Sequence, residues 1–200
     1  MRLSKFAIII ILLPFVVILW YQWSHPSRWE QVLHPLEYKQ LIVETSRKYS
    51  IDPYLISAII YEESKFNPSS RSKVGAVGLM QVMPDTGAWI AKRQGRQFTA
   101  NDLYSPEVNI NMGCWYFNFL RDKYRDEKLA LAAYNSGDKN VDRWLRDGEY
   151  SSVDEVVANI PYKETRTFVK RVLKTKAMYE KHYPEAFKKP PGVFKKPVGQ

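Results

Sequence analysis

The chain contains 200 residues, 45% of them hydrophobic and 14% aromatic, which is enough to enclose the core of one domain with extensions at its ends. Its formal net charge of +9 at pH 7 favours anionic partners, but charge alone does not distinguish nucleic acid from other polyanions. The single cysteine, Cys114, excludes an intramolecular disulfide, and its apolar neighbours predict a small buried side chain rather than a nucleophile.

The N-terminal segment predicts a membrane anchor. Arg2 and Lys5 precede sixteen uncharged residues, Phe6 to Tyr21, a run slightly shorter than the roughly 20 residues of a bilayer span. A cleavable signal peptide is the alternative, but small residues are missing from the positions that a cleavage site needs. Because the basic flank indicates a cytoplasmic N-terminus, we expect residues 1–23 to form a cytoplasmic flank and a transmembrane signal anchor, with the rest of the chain outside.

After the anchor, residues 24–35 predict a short stalk, because prolines and small polar residues interrupt any regular pattern. From residue 36 onward the hydrophobic residues recur with a helical period. The first predicted helix carries Tyr38, Leu41, Ile42, Thr45 and Tyr49.

The next predicted helix places a glutamate where an apolar residue is expected. Asp52 is a suitable N-cap and Pro53 a suitable first-turn residue. The apolar stripe of this helix consists of Leu55, Ile56, Ile59 and Ile60. At about 100° per residue, Glu63 falls within roughly 10° of the centre of the stripe and Glu62 about 90° away. We therefore expect one of the two carboxylates, Glu63, to be drawn inside, where burial favours the protonated form that a general acid needs.

Three further helices are predicted along the chain. The Ser105-Pro106 pair starts one, Asp126 caps another that ends at Gly137, and a long basic amphipathic helix follows Pro161. Sustained alternation of apolar and polar residues is missing, as are hairpin turns between β-branched runs, so strands should be few. The pattern predicts an all-α domain over residues 36–184.

Two glycines mark the segment that follows Glu63. Gly75 and Gly78 lie within residues 72–81, and glycines allow the backbone to approach a ligand closely. Such a loop suits an extended substrate.

Four motifs, taken in order, resemble one family. They are Glu63-Ser64-x-x-Asn67-Pro68, Gly75-Ala76-x-Gly78-Leu79-Met80-Gln81, Ala133-Tyr134-Asn135 and Ile160-Pro161-Tyr162-x-Glu164-Thr165-Arg166. This pattern resembles the SLT-domain lytic transglycosylases, relatives of goose-type lysozyme, over about residues 38–183. The resemblance implies a lysozyme-like all-α fold and an enzyme that cleaves peptidoglycan glycan strands. Together with the predicted signal anchor, it leads us to expect a single-pass protein of the bacterial cell membrane with its catalytic domain on the extracytoplasmic side.

The resemblance also implies roles for the matching residues. Glu63 corresponds to the catalytic acid, Ser64 to the serine that helps to orient it, and Tyr134 to a supporting residue that faces it. The residues implied in substrate binding are Met80 and Gln81 on the loop that lines the glycan cleft, Asn135 beside Tyr134, and Tyr162 and Glu164 in the last motif.

Parts of the last motif leave the roles of its residues open. For Glu164 and Arg166, a structural role in fixing the cleft stands beside substrate contact. Two residues depart from the family pattern. Phe168 stands where many relatives have Tyr, and Ala158 stands where an acidic residue often appears. These departures bear on secondary cleft contacts and not on Glu63.

The implied reaction uses one carboxyl group, whereas most glycosidases use two. In the family, the N-acetyl group of MurNAc stabilises the developing cation and the 6-hydroxyl of the same sugar attacks carbon 1, which leaves a 1,6-anhydro-MurNAc end. Neither metal nor cofactor is expected, because His25, His34 and His182 lie outside the motifs and lack ligand-like spacing.

Three alternatives stay open. A muramidase on the same fold would let water attack instead of the 6-hydroxyl. A non-catalytic peptidoglycan-binding scaffold would keep the fold alone, although a binder gains nothing from a buried acid. A nucleic-acid-binding membrane protein would explain the charge, but the basic tail lacks interleaved aromatic residues that stack on bases.

That tail covers residues 185–200 and is rich in lysine and proline, so we expect it to be disordered. Outside the cell it could meet anionic wall polymers or lipid headgroups. A tail that only increases solubility, without a partner, is the other interpretation.

Overall fold

The computed structural model describes residues 13–15, 17, 34–148 and 150–187. The predicted anchor and stalk therefore lie largely outside the described residues, and the predicted tail does so beyond residue 187. The chain forms two compact units, Met1–Leu36 and Glu37–Gln200. In the first, residues 13–15 and 17 are helical. None of the helices in the described ranges has the length and hydrophobicity that a bilayer span requires.

The second unit is helical, and its elements follow one another closely along the chain. They are α1 (Lys39–Tyr49), α2 (Pro53–Ser64), α3 (Pro84–Arg93), a 3₁₀ helix (Ala100–Tyr104), α4 (Pro106–Tyr124), α5 (Glu127–Ser136), α6 (Asp138–Asp147), α7 (Val153–Asn159) and α8 (Lys163–His182). Extended structure in the described residues consists of two isolated bridges, from Val77 to Arg71 and to Val82. The all-α prediction is therefore confirmed for this unit.

Side-chain caps fix the starts of three helices where the sequence predicted them. Asp52 accepts a hydrogen bond from the backbone N–H of Tyr54 at 2.9 Å and starts α2. Ser105 caps α4, and Asp126 accepts from two backbone N–H groups at the start of α5. Such caps satisfy donors that would otherwise lack partners at a helix end, and each contributes about 1 kcal/mol.

The core is centred on α2, which packs against α8 and α1. Leu55, Ile56, Ile59 and Ile60 of α2 are all at most 1% exposed, as the predicted stripe requires. On the other side, α8 contributes its own buried apolar side chains, and α5 contacts both α4 and α8. Cys114 of α4 is fully buried, and its thiol lies 3.7 Å from the sulfur of Met80. Burial raises the pKa of this thiol, so it remains protonated and unreactive.

Candidate active site

Glu63 lies in the last turn of α2, one residue before the end of the helix. Burial raises the pKa of its carboxyl to about 8, with Glu164 and Glu62 adding to the rise and Arg171 opposing it. Among the described residues, the carboxyl forms no hydrogen bond or ion pair, although the residue keeps a partly exposed surface. A carboxylic acid in this state is protonated near neutral pH and free to meet a ligand.

Glu62 is also enclosed, which corrects the prediction that only one of the two carboxylates is drawn inside. Its side chain is 6% exposed, and its Oε2 lies 3.0 Å from Nε of Arg171. The Thr175 hydroxyl donates to its Oε1 at 2.6 Å, and the Lys65 ammonium lies 3.7 Å from Oε2. The prediction failed because α8, more than a hundred residues away in sequence, covers this side of α2 and replaces water with polar side chains.

Ser64 connects the end of α2 to the following loop. Its hydroxyl lies 2.8 Å from the carbonyl oxygen of Leu79 and 3.2 Å from that of Ile60. The described bonds of Ser64 thus go to backbone oxygens rather than to the Glu63 carboxyl. Its contribution to the site is to hold the loop against the helix that carries the acid.

The loop of residues 70–82 has a defined conformation. Val77 and Val82 exchange two backbone hydrogen bonds of 3.0 Å, which closes a tight turn between them. Within that turn Gln81 has a left-handed backbone (φ 48°), and its side-chain amide donates to the carbonyl oxygens of Gly78 at 2.8 Å and Ser70 at 3.2 Å. The Gln81 side chain therefore supports the loop from inside, in addition to facing the cleft described below.

Asn109 of α4 fixes the same loop from below. Its side-chain amide donates to the carbonyl oxygens of Val77 and Leu103, each at 2.8 Å, and its Oδ1 accepts from the N–H of Met80 at 2.7 Å. This contact requires a glycine at position 78, because a Cβ on Gly78 would lie 2.2 Å from the Asn109 amide nitrogen. One buried asparagine thus joins α4, the 3₁₀ helix and the loop.

Met80 lies in the core rather than at the surface of the cleft. Its side chain is fully buried and packs against Gly113 of α4, where an added Cβ would come within 2.6 Å of the Met80 sulfur. Its carbonyl oxygen accepts a hydrogen bond from the Tyr134 hydroxyl at 2.7 Å. The structure therefore gives Met80 a positioning role through its backbone, where the family resemblance implied substrate contact.

A cleft of about 270 Å³ opens between the loop, α3 and the end of α5. It is lined by Gln81, Val82, Met83, Thr86, Tyr116, Tyr134, Asn135, Ser136 and Gly137. Three residues implied by the resemblance, Gln81, Tyr134 and Asn135, meet in its wall. Burial raises the pKa of Tyr134 well above its ordinary value, and the nearby Glu63 adds to the rise. Tyr134 therefore belongs both to the wall of the cleft and to the surroundings of the acid.

Asn135 is oriented by α8. Its Oδ1 accepts a hydrogen bond from the Thr165 hydroxyl at 2.8 Å, and Thr165 is buried. With the oxygen engaged in this way, the amide N–H₂ of Asn135 is the group that can be offered to a ligand in the cleft.

The last motif is divided between two places. Tyr162 is 45% exposed and lines a separate cavity of about 300 Å³, with its ring edge-on to Trp144 at 5.3 Å. Glu164 lies in the first turn of α8, and its charge acts on Glu63. The Arg166 guanidinium donates to the carbonyl oxygen of Ile160, which is a structural contact. Tyr162 is thus not brought together with the residues of the cleft.

The sequence did not single out every residue at the site; examples are Asn109, Tyr116, Met83 and Thr86. Asn109 had a usable signal, because it is a polar residue on the apolar stripe of α4, in line with Gly113, Tyr116 and Leu120. The same reasoning that selected Glu63 would have selected it. For the other three, the signal exists only once α3, α4 and α5 are placed side by side.

Comparisons with known proteins agree with this arrangement. The family model of the transglycosylase SLT domain matches residues 40–156. The soluble lytic murein transglycosylase of Salmonella typhimurium is 37% identical over 154 residues, which cover 72% of this chain and 23% of that protein. The membrane-bound lytic murein transglycosylase C of Actinobacillus pleuropneumoniae serotype 5b is 32% identical over 166 residues, which cover 72% of this chain and 46% of that protein.

A solved structure is similar as well. An inactive mutant of the lytic transglycosylase Slt from Pseudomonas aeruginosa, in which a glutamate is replaced by glutamine, superposes with a TM-score of 0.71 and 31% identity. The match covers 77% of this chain and 25% of that one. The chain spans 23% to 46% of the length of the two relatives above, so it covers less than half of each. Because the family model extends over more than half of the sequence, the chain belongs to the transglycosylase SLT domain family.

Proposed function

We propose that this protein is a lytic transglycosylase that cleaves the β-1,4 bond between MurNAc and GlcNAc in peptidoglycan and leaves 1,6-anhydro-MurNAc ends. The observation that carries the proposal is the state of Glu63, a carboxyl group whose pKa is raised to about 8 by burial and which has no partner among the described residues. At neutral pH such a group holds a proton that it can give to a glycosidic oxygen. The names of the relatives support the substrate class.

The proposed reaction has two proton transfers through one carboxyl group. Glu63 first protonates the glycosidic oxygen, the bond from that oxygen to carbon 1 of MurNAc breaks, and GlcNAc leaves with a free 4-hydroxyl. The resulting Glu63 carboxylate then takes the proton of the MurNAc 6-hydroxyl as that oxygen bonds to carbon 1. The 1,6-anhydro ring closes, Glu63 is protonated again, and no water is consumed.

The described contacts support a one-carboxylate mechanism. Glu62, the adjacent carboxylate, is held by Arg171 and Thr175 and faces α8. The cleft beside Tyr134 offers neutral amide groups that suit the hydroxyl and N-acetyl groups of a glycan. The N–H₂ of Asn135 can donate, and the amide oxygen of Gln81 can accept, because the N–H₂ of Gln81 is used within the loop. These groups can orient the sugar while its own hydroxyl acts as the nucleophile.

A muramidase is the second candidate, and Glu164 is the observation that favours it. Its charge acts on Glu63, and hydrolytic glycosidases use a second carboxylate near the acid to activate the attacking water. Mass spectrometry of fragments released from purified peptidoglycan by the full-length protein separates the two candidates. Each anhydro product is one water lighter than its hydrolytic counterpart. If most released fragments end in reducing MurNAc, the protein is a muramidase and the proposal is wrong. If no fragments are released from any type of peptidoglycan, the non-catalytic scaffold is the better interpretation.

We further propose that the N-terminal segment anchors the protein in the bacterial cell membrane, with the domain on the extracytoplasmic side. The Arg2 and Lys5 flank and the apolar run support this orientation, as does the name of the membrane-bound relative from Actinobacillus pleuropneumoniae. Protease added to intact, wall-stripped cells should remove the domain while the protein runs at full length without protease. A soluble form that begins near Ser24 would contradict the anchor.

A further inference from the structure

The charge of Arg171 acts on both glutamates at the end of α2. Its Nε is 3.0 Å from Oε2 of Glu62, and its positive charge also acts on Glu63. The Arg171 side chain is 52% exposed, so packing alone holds it weakly and its ion pair does most to fix its position. Its position therefore depends on Glu62.

Glu62 is in turn fixed from α8. Thr175 lies four residues after Arg171, hence on the same face of that helix, and its hydroxyl donates to Oε1 of Glu62 at 2.6 Å. One carboxylate oxygen is thus used by Thr175 and the other by Arg171, within a side chain that is 6% exposed. This two-point contact has the geometry of a fixed anion rather than of a surface ion pair, which usually contributes little.

A second cation near Glu62 also has a partner outside the ion pair. The Lys65 ammonium lies 3.7 Å from Oε2 of Glu62 and 3.6 Å from the centre of the Tyr61 ring. Because the ring also attracts the ammonium, Lys65 has a place of its own if Glu62 is neutralised. Arg171 has no such second site described, and the next carboxyl group within reach of its charge is Glu63.

We propose that Glu62 is a positioning residue for the acid–base chemistry of Glu63: it holds the Arg171 guanidinium against α8 and so prevents an ion pair between Arg171 and Glu63. An acid that is ion-paired with arginine gives up its proton and cannot protonate a leaving group. Glu62 thereby allows a cation to lie beside the site without ionising the acid. The inference rests on the proposed role of Glu63 in the reaction.

The charged and titratable groups around Glu63 come from each helix packed there. They are Glu62 on α2 itself, Glu164 and Arg171 on α8, and Tyr134 on α5. Tyr134 stays neutral through the physiological range, and Glu164 favours the protonated acid. Removing the charge of Glu62 should therefore lower the pKa of Glu63 in two ways. A negative neighbour that raises this pKa is lost, and Arg171, which lowers it, is released at the same time.

The test is a titration of the Glu63 carboxyl carbon by NMR in the full-length protein, assigned by its loss in Glu63→Gln. In Glu62→Gln, which keeps the size of the side chain and an acceptor for Thr175, the pKa of Glu63 should fall by about one unit or more. In Arg171→Gln it should rise. Glu44→Gln, which changes an exposed glutamate of α1, is the matched control and should leave it unchanged.

The alkaline limb of the pH profile of kcat/KM should move with the titration, toward lower pH in Glu62→Gln and toward higher pH in Arg171→Gln. A merely structural role for Glu62 would lower activity at every pH without moving this limb. An unchanged or raised pKa of Glu63 in Glu62→Gln would overturn the proposal. If that variant fails to fold, an unchanged pKa in Arg171→Gln would overturn it instead.

The titration needs no substrate, so its outcome is independent of the reaction. If Glu63→Gln keeps full turnover, the proposed role of Glu63 in the reaction fails while the measured effect of Glu62 on Glu63 stands. If Glu63→Gln is inactive and the titrations do not move, the function stands and the positioning role fails.

Discussion

The hydroxyl of Tyr134 donates a hydrogen bond to the carbonyl oxygen of Met80 over 2.7 Å, and this bond joins α5 to the loop that forms one wall of the cleft. Ser64 joins the same loop to α2 through the neighbouring carbonyl oxygen of Leu79. The acid, the loop and the far wall of the cleft are therefore held together by two hydroxyl groups that donate to consecutive residues.

We expect Tyr134→Phe to lower turnover by roughly 10-fold to 100-fold, because the wall of the cleft loses its fixed distance from Glu63. The stability cost should be about 1 to 2 kcal/mol, since the Met80 carbonyl oxygen loses its side-chain donor. Tyr49→Phe is the matched control: it removes a comparable hydrogen bond, to Asn111 at 2.9 Å, on the far face of α4. Rates of fragment release and thermal melts of both variants test this. Equal activity in the two would contradict a role for Tyr134.

We expect Glu63→Gln to lower turnover by about 10²-fold to 10⁴-fold, because glutamine has no proton to transfer. Binding of glycan should persist, since the amide keeps the size of the side chain. Single-turnover assays on purified peptidoglycan measure the loss of turnover. Pull-down with insoluble sacculi measures the binding of glycan. Glu44→Gln should behave as the wild type; a fully active Glu63→Gln would require another acid.

The pH dependence of stability should differ between the wild type and Glu63→Gln. The pKa of Glu63 is raised from its ordinary 4.5 to about 8 in the folded protein, so the native state binds more protons than the unfolded state between these values. The free energy of unfolding of the wild type should therefore fall as pH rises through this window, relative to Glu63→Gln, by an amount on the order of a few kcal/mol.

Urea titrations of both proteins at pH 5, 6.5 and 8 measure this difference. Their curves should be most alike at the lowest pH and most different at the highest. A difference that stays constant with pH would show that Glu63 has an ordinary pKa, and would remove the basis for its role as an acid at neutral pH.

Asn109→Ala should destabilise the domain by about 3 to 5 kcal/mol, because the Met80 N–H and the carbonyl oxygens of Val77 and Leu103 all lose a buried partner. Activity should fall with it, since the loop is released. Asn111 lies two residues further along the same helix and, within the described ranges, its side-chain oxygen accepts from Tyr49 and Lys48. Asn111→Ala should therefore cost less than about 1 kcal/mol. Denaturant melts of the pair give the difference, and similar costs would contradict the central place of Asn109.

The sequence predicted those parts of the site that depend on one helix or one continuous motif. The burial of Glu63 agrees with the register of α2, and the family motifs selected Gln81, Tyr134 and Asn135, which line one cleft in the structure. The enclosure of Glu62 could not be predicted, because it depends on where α8 crosses α2, and Thr175 lies 113 residues further along the chain. Local periodicity carries no information on such a crossing.

Met80 and Tyr162 show the same limit in a different way. A motif identifies a loop, but adjacent residues of a tight turn point to opposite sides, so Gln81 faces the cleft while Met80 fills the core. Tyr162 and Glu164 are two residues apart, yet only Glu164 acts on Glu63, because the chain enters α8 between them.

Because Cys114 is buried against Met80, the reactivity of this single thiol reports how often α4 and the loop of residues 70–82 separate. A thiol reagent cannot reach a side chain that is fully enclosed beneath the loop, so modification requires α4 and the loop to separate first. The rate of labelling, followed over time in native buffer, therefore measures how often the domain opens at the site, and a glycan that closes the cleft should slow it.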